Sequence, residues 1–279
     1  MNAALCKGYR STGVLEFWST GIFDYSATPL LRHSITPTLH CSNLPTFQPS
    51  NLPSLQPSIP PPVRVICGMA GIFVSFEGGE GCGKTTQVKR LKRRLESMGR
   101  EVIAVHEPGF TEIGSAIRHL LLHSKEGNGI QPATELLLFE ASRSQLVTEV
   151  IRPSLAKNII VLSDRFYDST IVYQGIARGL DTGFIRMVNE FVVQECKPIL
   201  TLLLDIGIEA SRIRQMRRVR PVGAPDRMER LPPEFFEKVR QGYLDTARAE
   251  PDRIKIIDAS QPEDQVEQEI FNQVDGLLG

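Results

Sequence analysis

Residues 76–86, FEGGEGCGKTT, combine the residue types that bind the phosphates of a nucleotide. Their spacing is G-x-x-x-x-G-K-[ST], with Gly78 and Gly83 as the fixed glycines. Glycines let successive backbone N–H groups turn towards phosphate oxygens, and the positive N-terminal end of the following helix adds to that attraction. Lys84 can reach the outer phosphates, and the Thr85 hydroxyl suits a hard Mg²⁺ ion. The segment therefore predicts a loop that binds a nucleoside triphosphate.

The residues on either side of this loop support the same interpretation. GIFVSFE (71–77) has the pattern of a short buried strand, and TTQVKRLKRRLESMG (85–99) that of an amphipathic helix. The alternative is a chance glycine-rich turn, which the complete motif between a strand and a helix disfavours. The predicted nucleotide-binding residues are Gly78, Gly79, Glu80, Gly81, Cys82, Gly83, Lys84, Thr85 and Thr86.

The composition excludes several classes of protein. Among the 279 residues, 41% are hydrophobic, which is enough for a sizeable core. The 32 basic residues balance the 32 acidic ones, so nothing indicates a nucleic acid or a membrane surface as partner. The five cysteines lack the spacing of a disulfide framework or a zinc site, and a reducing cytoplasm is the simplest location. Cys82 is interpreted as a neutral filler of the loop rather than a redox switch.

The chain changes character near Met69. Residues 1–68 carry nine of the nineteen prolines and an eight-residue tandem repeat, NLPTFQPS followed by NLPSLQPS (43–58). Such Pro/Ser-rich sequence lacks a helical or strand period, and it predicts a disordered extension. A mis-assigned start, with Met69 as the true first residue, is favoured over a cleaved targeting segment or a docking tail. Residues 69–279 then form the folded domain.

Five apolar segments alternate with helical patterns after Met69. Short β-branched segments separated by helices predict βαβ units, hence an α/β fold: a three-layer α/β/α sandwich around a five-stranded parallel sheet. The predicted helices include EIGSAIRHLLL (112–122), a long segment at 133–155, and FIRMVNEFVVQE (184–195). The predicted strands are GIFVSFE, EVIAVHE, NIIVLSD, ILTLLLD and RIKIID.

Three carboxylates end predicted strands: Glu107, Asp164 and Asp205. In open α/β sheets the ligand cleft lies at those carboxyl ends, so each of the three is a candidate site residue. A structural cap of the following loop is the alternative for any one of them. Arg165 follows Asp164 directly, and the pair could hold Mg²⁺ and a phosphate or could form a buried structural ion pair.

Two further patterns suggest groups for an acceptor and for catalysis. Phe139 and Arg143 lie four residues apart on one helical face, where a ring and a guanidinium could grip a base. A core phenylalanine and a solvated arginine explain the spacing equally well. The arginine-dense segment 210–230 reads as a lid closing over the triphosphate, although a nucleic-acid patch or a solvated helix face has the same composition.

With these residues in view, the chain from Met69 onwards resembles the bacterial thymidylate kinases, which convert dTMP and ATP to dTDP and ADP. The matching segments occur in the family's order over about the whole of residues 69–279, whereas residues 1–68 have no counterpart. DRF…YQG together with EPG-T is far more specific than the phosphate loop alone. The matching segments are EGGEGCGKTT, HEPGFTEIG, LLFEASRSQLVTEVIRPSL, DRFYDSTIVYQGIARG, LTLLLDI, DRMER and IIDASQPED.

The resemblance implies a role for each substrate-binding residue. Phe139 would stack on thymine and Arg143 would hydrogen-bond its carbonyl edge, with Thr170 and Gln174 completing recognition of the base. Tyr173 would lie beneath the sugar and favour deoxyribose.

The resemblance also assigns the phosphate chemistry. Arg118 and Arg165 would hold the acceptor phosphate, Asp164 would organise Mg²⁺, and Glu80 would meet the sugar 3′-hydroxyl. The loop contains no arginine, so the catalytic arginine would come from the lid, as in one type within this family. The candidates in the lid are Arg214, Arg217, Arg218 and Arg220.

Three departures from the family's pattern stand out. His106 replaces the usual arginine before E-P-G, Phe110 replaces a glycine, and Ile199 replaces a common aspartate. A glycine at position 110 often permits a backbone angle closed to larger residues, so Phe110 is expected to reshape the wall near the acceptor phosphate. None of the three is a residue assigned to phosphate chemistry. The resemblance further implies a homodimer.

Three other functions compete with this reading. A kinase for another nucleoside monophosphate or for a deoxynucleoside would share the scaffold, but the base-site residues above argue against it. A GTPase-like switch requires N-K-x-D and D-x-x-G motifs, and neither is found in the sequence. An inactive scaffold that keeps the fold is the third alternative.

Overall fold

The computed structural model describes residues 71–217 and 226–278. All five predicted strands are present in it, each within the segment expected to form it. They are β1 (Phe73–Glu77), β2 (Val102–His106), β3 (Ile160–Asp164), β4 (Leu200–Asp205) and β5 (Ile254–Asp258).

Helices separate the strands along the described chain. Short 3₁₀ or π segments occur at Glu126–Gly129, Val147–Ile151 and Ile171–Ala177. The α-helices are α1 (Lys84–Ser97), α2 (Glu112–Leu122), α3 (Pro132–Leu146), α4 (Arg152–Ala156), α5 (Tyr167–Thr170), α6 (Thr182–Val193), α7 (Ile208–Arg217), α8 (Pro233–Ala249) and α9 (Glu263–Asp275).

The strands form one parallel sheet in the order β2-β3-β1-β4-β5. In the register, Asp164 lies opposite Phe76 of β1 on one side and His106 of β2 on the other. The carboxyl ends of the three strands therefore meet at one edge, and the loops that follow them share one space.

Helices cover both faces of this sheet, as the α/β prediction requires. On one face, α1 and α9 contribute Leu91, Leu95 and Ile270 to a core with the strand residues Val74 and Phe76. Val74 and Phe76 point to the same side because side chains alternate along a strand. On the other face, Phe73 and Val161 pack with Leu146, Ile151 and Phe166 from the helical connections. The predicted three-layer α/β/α fold is confirmed.

The long helix predicted over 133–155 is interrupted. A π segment at Val147–Ile151 joins α3 to α4, and Pro153 lies in the first turn of α4. A proline inside an α-helix removes one backbone donor and crowds the carbonyl four residues earlier. The wider π turn just before Pro153 accommodates that ring without ending the helical path.

Parts of the sequence prediction fall outside the described residues. They are the predicted extension at 1–68 with the boundary at Met69, and the lid candidates Arg218 and Arg220. The division of the chain at Met69 stays a prediction. Within 71–217 and 226–278, every helix is too short or too polar to cross a bilayer.

Phe110 adopts the backbone conformation that its replacement of a glycine implied. Its φ is 71°, in the left-handed region where a Cβ atom is crowded. The ring is 39% exposed and makes an edge contact with His106, 5.8 Å between ring centroids. Phe110 therefore lies in the loop after β2 with its ring against His106, at a cost in backbone energy.

A comparison of two substitutions at position 110 measures that cost. Phe110→Gly and Phe110→Ala both remove the ring contact, but only glycine relieves the left-handed strain. We expect the free energy of unfolding of the glycine variant to be about 1 kcal/mol higher than that of the alanine variant. Urea denaturation of both measures the difference, and an alanine variant at least as stable would contradict the strain.

Candidate active site

The main cleft lies at the carboxyl ends of the strands and has a volume of about 1250 Å³. The phosphate loop, the β2–α2 and β3–α5 loops, α3 and α7 all contribute to its lining. Gly78 and Gly79 face a smaller neighbouring cavity. The predicted site residues that line the main cleft are Glu80, Gly81, Cys82, Gly83, Lys84, Thr85, Thr86, Arg118, Phe139, Arg143, Asp164, Arg165, Thr170, Tyr173, Gln174, Arg214 and Arg217.

The phosphate loop requires glycine at its first position. Gly78 has φ 135°, and a Cβ atom there would lie 2.4 Å from the carbonyl oxygen of Leu204. Gly83 has φ 97° and precedes the first residue of α1. The loop therefore enters the N-terminus of α1 by a path that larger residues would block, and the first residues of that helix line the cleft.

Lys84 extends back along this loop and is 7% exposed. Its Nζ donates to the carbonyl oxygens of Gly79 (2.7 Å) and Gly78 (3.2 Å) and contacts Cys82 Sγ at 3.5 Å. The ammonium group is thus held inside the loop, where it can exchange these partners for phosphate oxygens.

Thr85 and Asp164 meet at the mouth of the loop. The Thr85 hydroxyl donates to Asp164 Oδ2 at 2.5 Å, which joins the start of α1 to the end of β3. A hydroxyl and a carboxylate are oxygen donors of the kind that hard divalent cations prefer. The residues present therefore fit a Mg²⁺ ion, held directly or through water.

Arg165 is the most extensively bonded cation of the cleft. Its Nη2 donates to Glu80 Oε1 at 2.6 Å and to the Tyr173 hydroxyl at 3.3 Å. Its Nη1 donates to Gly78 O at 3.0 Å and to the hydroxyls of Ser169 and Tyr243, each at 3.2 Å. Burial alone would lower the pKa of Arg165, but the groups around it raise that pKa above its usual range. The guanidinium is therefore permanently charged.

Glu80 is the carboxylate partner of Arg165 within the loop. Burial opposes its charge, but Arg165 and Lys84 hold the pKa of Glu80 below its usual range. Glu80 is therefore ionised at neutral pH and can only accept hydrogen bonds.

Glu77 is connected to Arg165 through two shared hydroxyl groups. It is fully buried at the end of β1 and accepts from the Phe166 backbone N–H (2.7 Å) and the hydroxyls of Ser169 (2.6 Å) and Tyr243 (2.8 Å). Both hydroxyls also contact Arg165. Burial raises the pKa of Glu77.

Arg143 is buried, with 1% of its surface exposed, so the solvated-arginine alternative is wrong. Its Nε donates to Glu107 Oε2 at 2.7 Å, and its Nη1 donates to Glu140 Oε1 at 2.5 Å and Asn189 Oδ1 at 3.1 Å. The guanidinium joins the loop after β2 to α3 and α6, and it lines the cleft. Its Nη2 donates to the backbone carbonyl oxygen of Phe166 at 3.4 Å, so every side-chain nitrogen of Arg143 has a partner within the protein. The contact of Arg143 with a base stays a prediction.

The base-recognition candidates lie on α3, at the end of α5 and on the Ile171–Ala177 segment, all of which line the cleft. Phe139 is half-buried, whereas Thr170 and Gln174 are almost fully buried. Gln174 Nε2 donates to Glu135 Oε1 at 2.9 Å. The Tyr173 hydroxyl donates to Glu80 Oε1 at 3.4 Å, so this tyrosine connects the base-recognition candidates with the phosphate loop.

Arg118 brings a cation without a carboxylate partner among the described residues. Its Nη1 donates to the backbone carbonyl oxygen of Pro108 at 2.8 Å. Burial lowers the pKa of Arg118, but an arginine stays charged at neutral pH, so the cleft is lined by a charged guanidinium. Burial and the nearby Arg118 charge lower the pKa of His106. His106 is therefore neutral at pH 7 and does not replace the charge of an arginine.

The arginine-dense segment begins as α7, which lies against the phosphate loop. Ser211 Oγ donates to the backbone carbonyl of Glu80 at 2.5 Å. Arg214 and Arg217, one turn apart in α7, both line the cleft. Their helix is therefore tied to the loop that they face.

Comparisons with known proteins give the family. The sequence model of the family described as thymidylate kinase matches residues 76–270. The chain belongs to the thymidylate kinase family.

Individual relatives agree with this assignment. The thymidylate kinase of Syntrophotalea carbinolica is 48% identical over 196 residues, which are 70% of this chain and 90% of that protein. The thymidylate kinase of Deinococcus radiodurans is 44% identical over 201 residues, 72% of this chain and 95% of that protein. The crystal structure of thymidylate kinase from Ehrlichia chaffeensis matches with a TM-score of 0.58 and 31% identity, over 74% of this chain and 98% of that one.

Asp205 differs from the other two strand-end carboxylates. It accepts from Arg240 Nε at 2.8 Å and Nη2 at 2.7 Å, and it lines the smaller cavity of about 550 Å³ rather than the main cleft. The expectation that Asp205 belongs to the site is not supported, and the structural alternative fits it. The reason is geometric: in the sheet, β1 separates β4 from β3 and β2, so the end of β4 lies on the other side of the phosphate loop that follows β1.

Sequence reasoning missed three residues that hold the site together: Glu77, Glu135 and Tyr243. Glu77 could have been found because it directly precedes the phosphate loop. Glu135 lies four residues before Phe139, which lies four before Arg143, so the helical spacing extends to it. Tyr243 comes from α8, far along the chain, and no local pattern indicates its hydroxyl.

Replacing Glu107 by glutamine should change the pH dependence of stability. Burial, opposed by Arg143, raises the pKa of Glu107 from 4.5 to about 7. The folded protein therefore binds this proton more tightly than the unfolded chain, and the contribution to stability is lost as the pH rises from 4.5 to 7. As the pH rises over this range, we expect the free energy of unfolding of Glu107→Gln to increase by up to about 3 kcal/mol relative to that of the wild type.

Urea denaturation between pH 4.5 and 8 measures that difference. Glu96→Gln, which removes an exposed carboxylate on α1, serves as the control and should follow the wild-type profile. A constant difference between Glu107→Gln and the wild type at all pH values would contradict the raised pKa.

Proposed function

We propose that this protein transfers the γ-phosphoryl group of ATP directly to dTMP, giving dTDP for dTTP synthesis. The observation that carries the proposal is the convergence of two cations on one carbonyl oxygen. Lys84 Nζ and Arg165 Nη1 both donate to Gly78 O, at 3.2 and 3.0 Å, and they come from two different elements, the start of α1 and the loop after β3. Lys84 belongs to the proposed donor loop, and Arg165 follows β3 and precedes the helical segment that carries Thr170, Tyr173 and Gln174.

Phosphoryl transfer needs positioning and charge stabilisation more than covalent chemistry. Lys84 and the N–H groups at the start of α1 would bind the outer phosphates of ATP. Arg165 and Arg118 would bind the acceptor phosphate, because both are charged and line the same cleft. Fixed cations in a site that excludes water stabilise charge more than the same groups in water.

Mg²⁺ would be held by Thr85 and Asp164, whose oxygens already contact each other. When bound, the ion would neutralise charge on the phosphates of ATP. Protein cations would neutralise the remaining phosphate charge. One of the lid arginines, Arg214, Arg217 or Arg218, would add a further cation from α7 or the segment that follows it.

The other end of the cleft would bind the nucleoside. Phe139 offers a half-buried aromatic face for thymine, with Arg143, Thr170 and Gln174 at its edge. Tyr173 would contact the sugar, and the ionised Glu80 would accept from its 3′-hydroxyl. Because Glu80 pairs with Arg165, the same contact would align the sugar with the acceptor phosphate.

An exposed apolar face supports a homodimer. On α6, Phe184, Met187 and Phe191 are 48%, 61% and 78% exposed, and Leu137 of the neighbouring α3 is 57% exposed. Their spacing along α6 places them on one face of the helix. A second copy of this chain would bury this face.

The proposed location is the cytoplasm, where ATP and dTMP are available.

A nucleotide panel tests the reaction. Release of ADP, coupled to a spectroscopic assay, is measured with dTMP, dUMP, dCMP, dAMP and dGMP as acceptors, with ATP and Mg²⁺. We expect dTMP to be the best acceptor. Comparable turnover of dCMP or dAMP would replace this function by another nucleoside monophosphate kinase activity, and no turnover would leave an inactive scaffold.

Lys84→Ala should lower kcat with dTMP by about 10²–10³, because a cation that faces the transferred group is lost. Lys92→Ala is the matched control: this lysine lies on the same helix and pairs with Glu96 at the surface. The control should retain wild-type turnover. Equal activity of Lys84→Ala and wild type would exclude the phosphate loop as the donor site.

Phe191→Gln should weaken the proposed dimer, since the most exposed aromatic ring of the apolar face is removed. Sedimentation velocity over a range of protein concentrations measures the association. Met98→Gln, an exposed apolar residue after α1 on the opposite face of the sheet, is the control. A monomeric wild type, or a dimer unaffected by Phe191→Gln, would remove this face as the interface.

A further inference from the structure

Glu135 is a buried carboxylate that contacts Gln174, one of the base-recognition candidates. Glu135 is 1% exposed and lies on α3, four residues before Phe139. It accepts hydrogen bonds from Gln174 Nε2 at 2.9 Å, from Arg178 Nη2 at 3.2 Å and from Arg227 Nη2 at 2.5 Å. Glu135 is the common acceptor for all three.

The charge of Glu135 is secured by these partners. Burial alone would raise its pKa, but the Gln174 hydrogen bond and the two arginines hold that pKa below the usual range. An ionised carboxylate accepts hydrogen bonds and donates none. Gln174 must therefore direct its NH₂ group towards Glu135, and the reverse orientation of the amide would bring two oxygens together.

The fixed amide determines what Gln174 offers to a ligand. Gln174 lines the cleft, and within 71–217 and 226–278 no donor is bonded to its Oε1. The carbonyl oxygen is therefore the end of the amide left to accept from a base. Thymine and uracil carry a donor at N3, whereas cytosine carries an acceptor there, so this oxygen attracts the first two bases and repels the third.

We propose that Glu135 is a positioning residue that selects bases with an N3–H donor by fixing the orientation of the Gln174 amide. The inference rests on the proposed function, because it specifies how the acceptor site recognises dTMP. Arg227 lies near the end of the predicted lid segment, so the same carboxylate also binds the described last part of that segment.

The test uses two selectivity ratios in one variant, Glu135→Gln. A neutral amide at position 135 can donate as well as accept, so Gln174 is free to reverse. We expect the preference for dTMP over dCMP in kcat/KM to fall about tenfold or more, because recognition by hydrogen bonding depends on matched donors and acceptors. The preference for dTMP over dUMP should stay within about twofold, because these bases differ in a methyl group and not at N3.

Two controls separate positioning from a loss of stability. Arg178→Met removes an ion pair of the same carboxylate and leaves the bond to Gln174, so it should lower the melting temperature and keep both ratios. In a Gln174→Ala background, Glu135→Gln should cause no further loss of selectivity, since coupled residues are not additive. Equal falls in turnover of all three nucleotides, or additive losses of selectivity, would overturn the inference.

Calorimetric binding of dTMP and dCMP distinguishes this failure from failure of the proposed function. A wild type that binds dTMP in preference to dCMP but does not phosphorylate it would overturn the proposed reaction alone. The Glu135→Gln variant would then still be judged by its ratio of dissociation constants. A wild type that binds the two nucleotides equally would overturn the inference.

Discussion

The structure of the site depends on the placement of one charged group, the Arg165 guanidinium. Its hydrogen bonds reach the phosphate loop at Gly78 and Glu80, and they reach α8 at Tyr243. Three elements far apart in sequence are thereby fixed around a cation that water does not fully solvate. The backbone of Arg165 has φ 72°, so the chain accepts a strained conformation to direct this side chain into the cleft.

The rest of the cleft repeats this arrangement of buried charge. Arg165 pairs with Glu80 and shares the hydroxyls of Ser169 and Tyr243 with Glu77, while Arg143 pairs with two carboxylates. Glu135 reverses the pattern, since one carboxylate has two arginines. Pairing with good hydrogen bonds is what makes charges tolerable in a low-dielectric interior, and breaking a pair leaves an expensive single charge. Because these polar groups have few alternative partners, we expect the wall of the cleft to resist rearrangement.

The sequence predicted the fold well because strong local signals agree with the global arrangement. Five short apolar segments between helices, and a glycine pattern that needs positive φ at Gly78, leave few alternatives to a parallel sheet. The site was predicted less completely. Spacing placed Phe139 and Arg143 on one helix, but it could not tell whether Arg143 was solvated or buried. Tertiary contacts decide that, as they do for Tyr243 and for Asp205, which Arg240 draws to another cavity.

The internal partners of Lys84 and Arg165 have a consequence for how tightly nucleotides can be held. Both cations are compensated by loop carbonyls and, for Arg165, by Glu80. An arriving phosphate must displace these contacts, so association is an exchange of hydrogen bonds rather than a net gain of them. Under the proposed function, ground-state affinity would be moderated in this way, while the cations would stay aligned for the more highly charged arrangement reached during transfer. Such a loop would favour turnover over tight retention of its nucleotides.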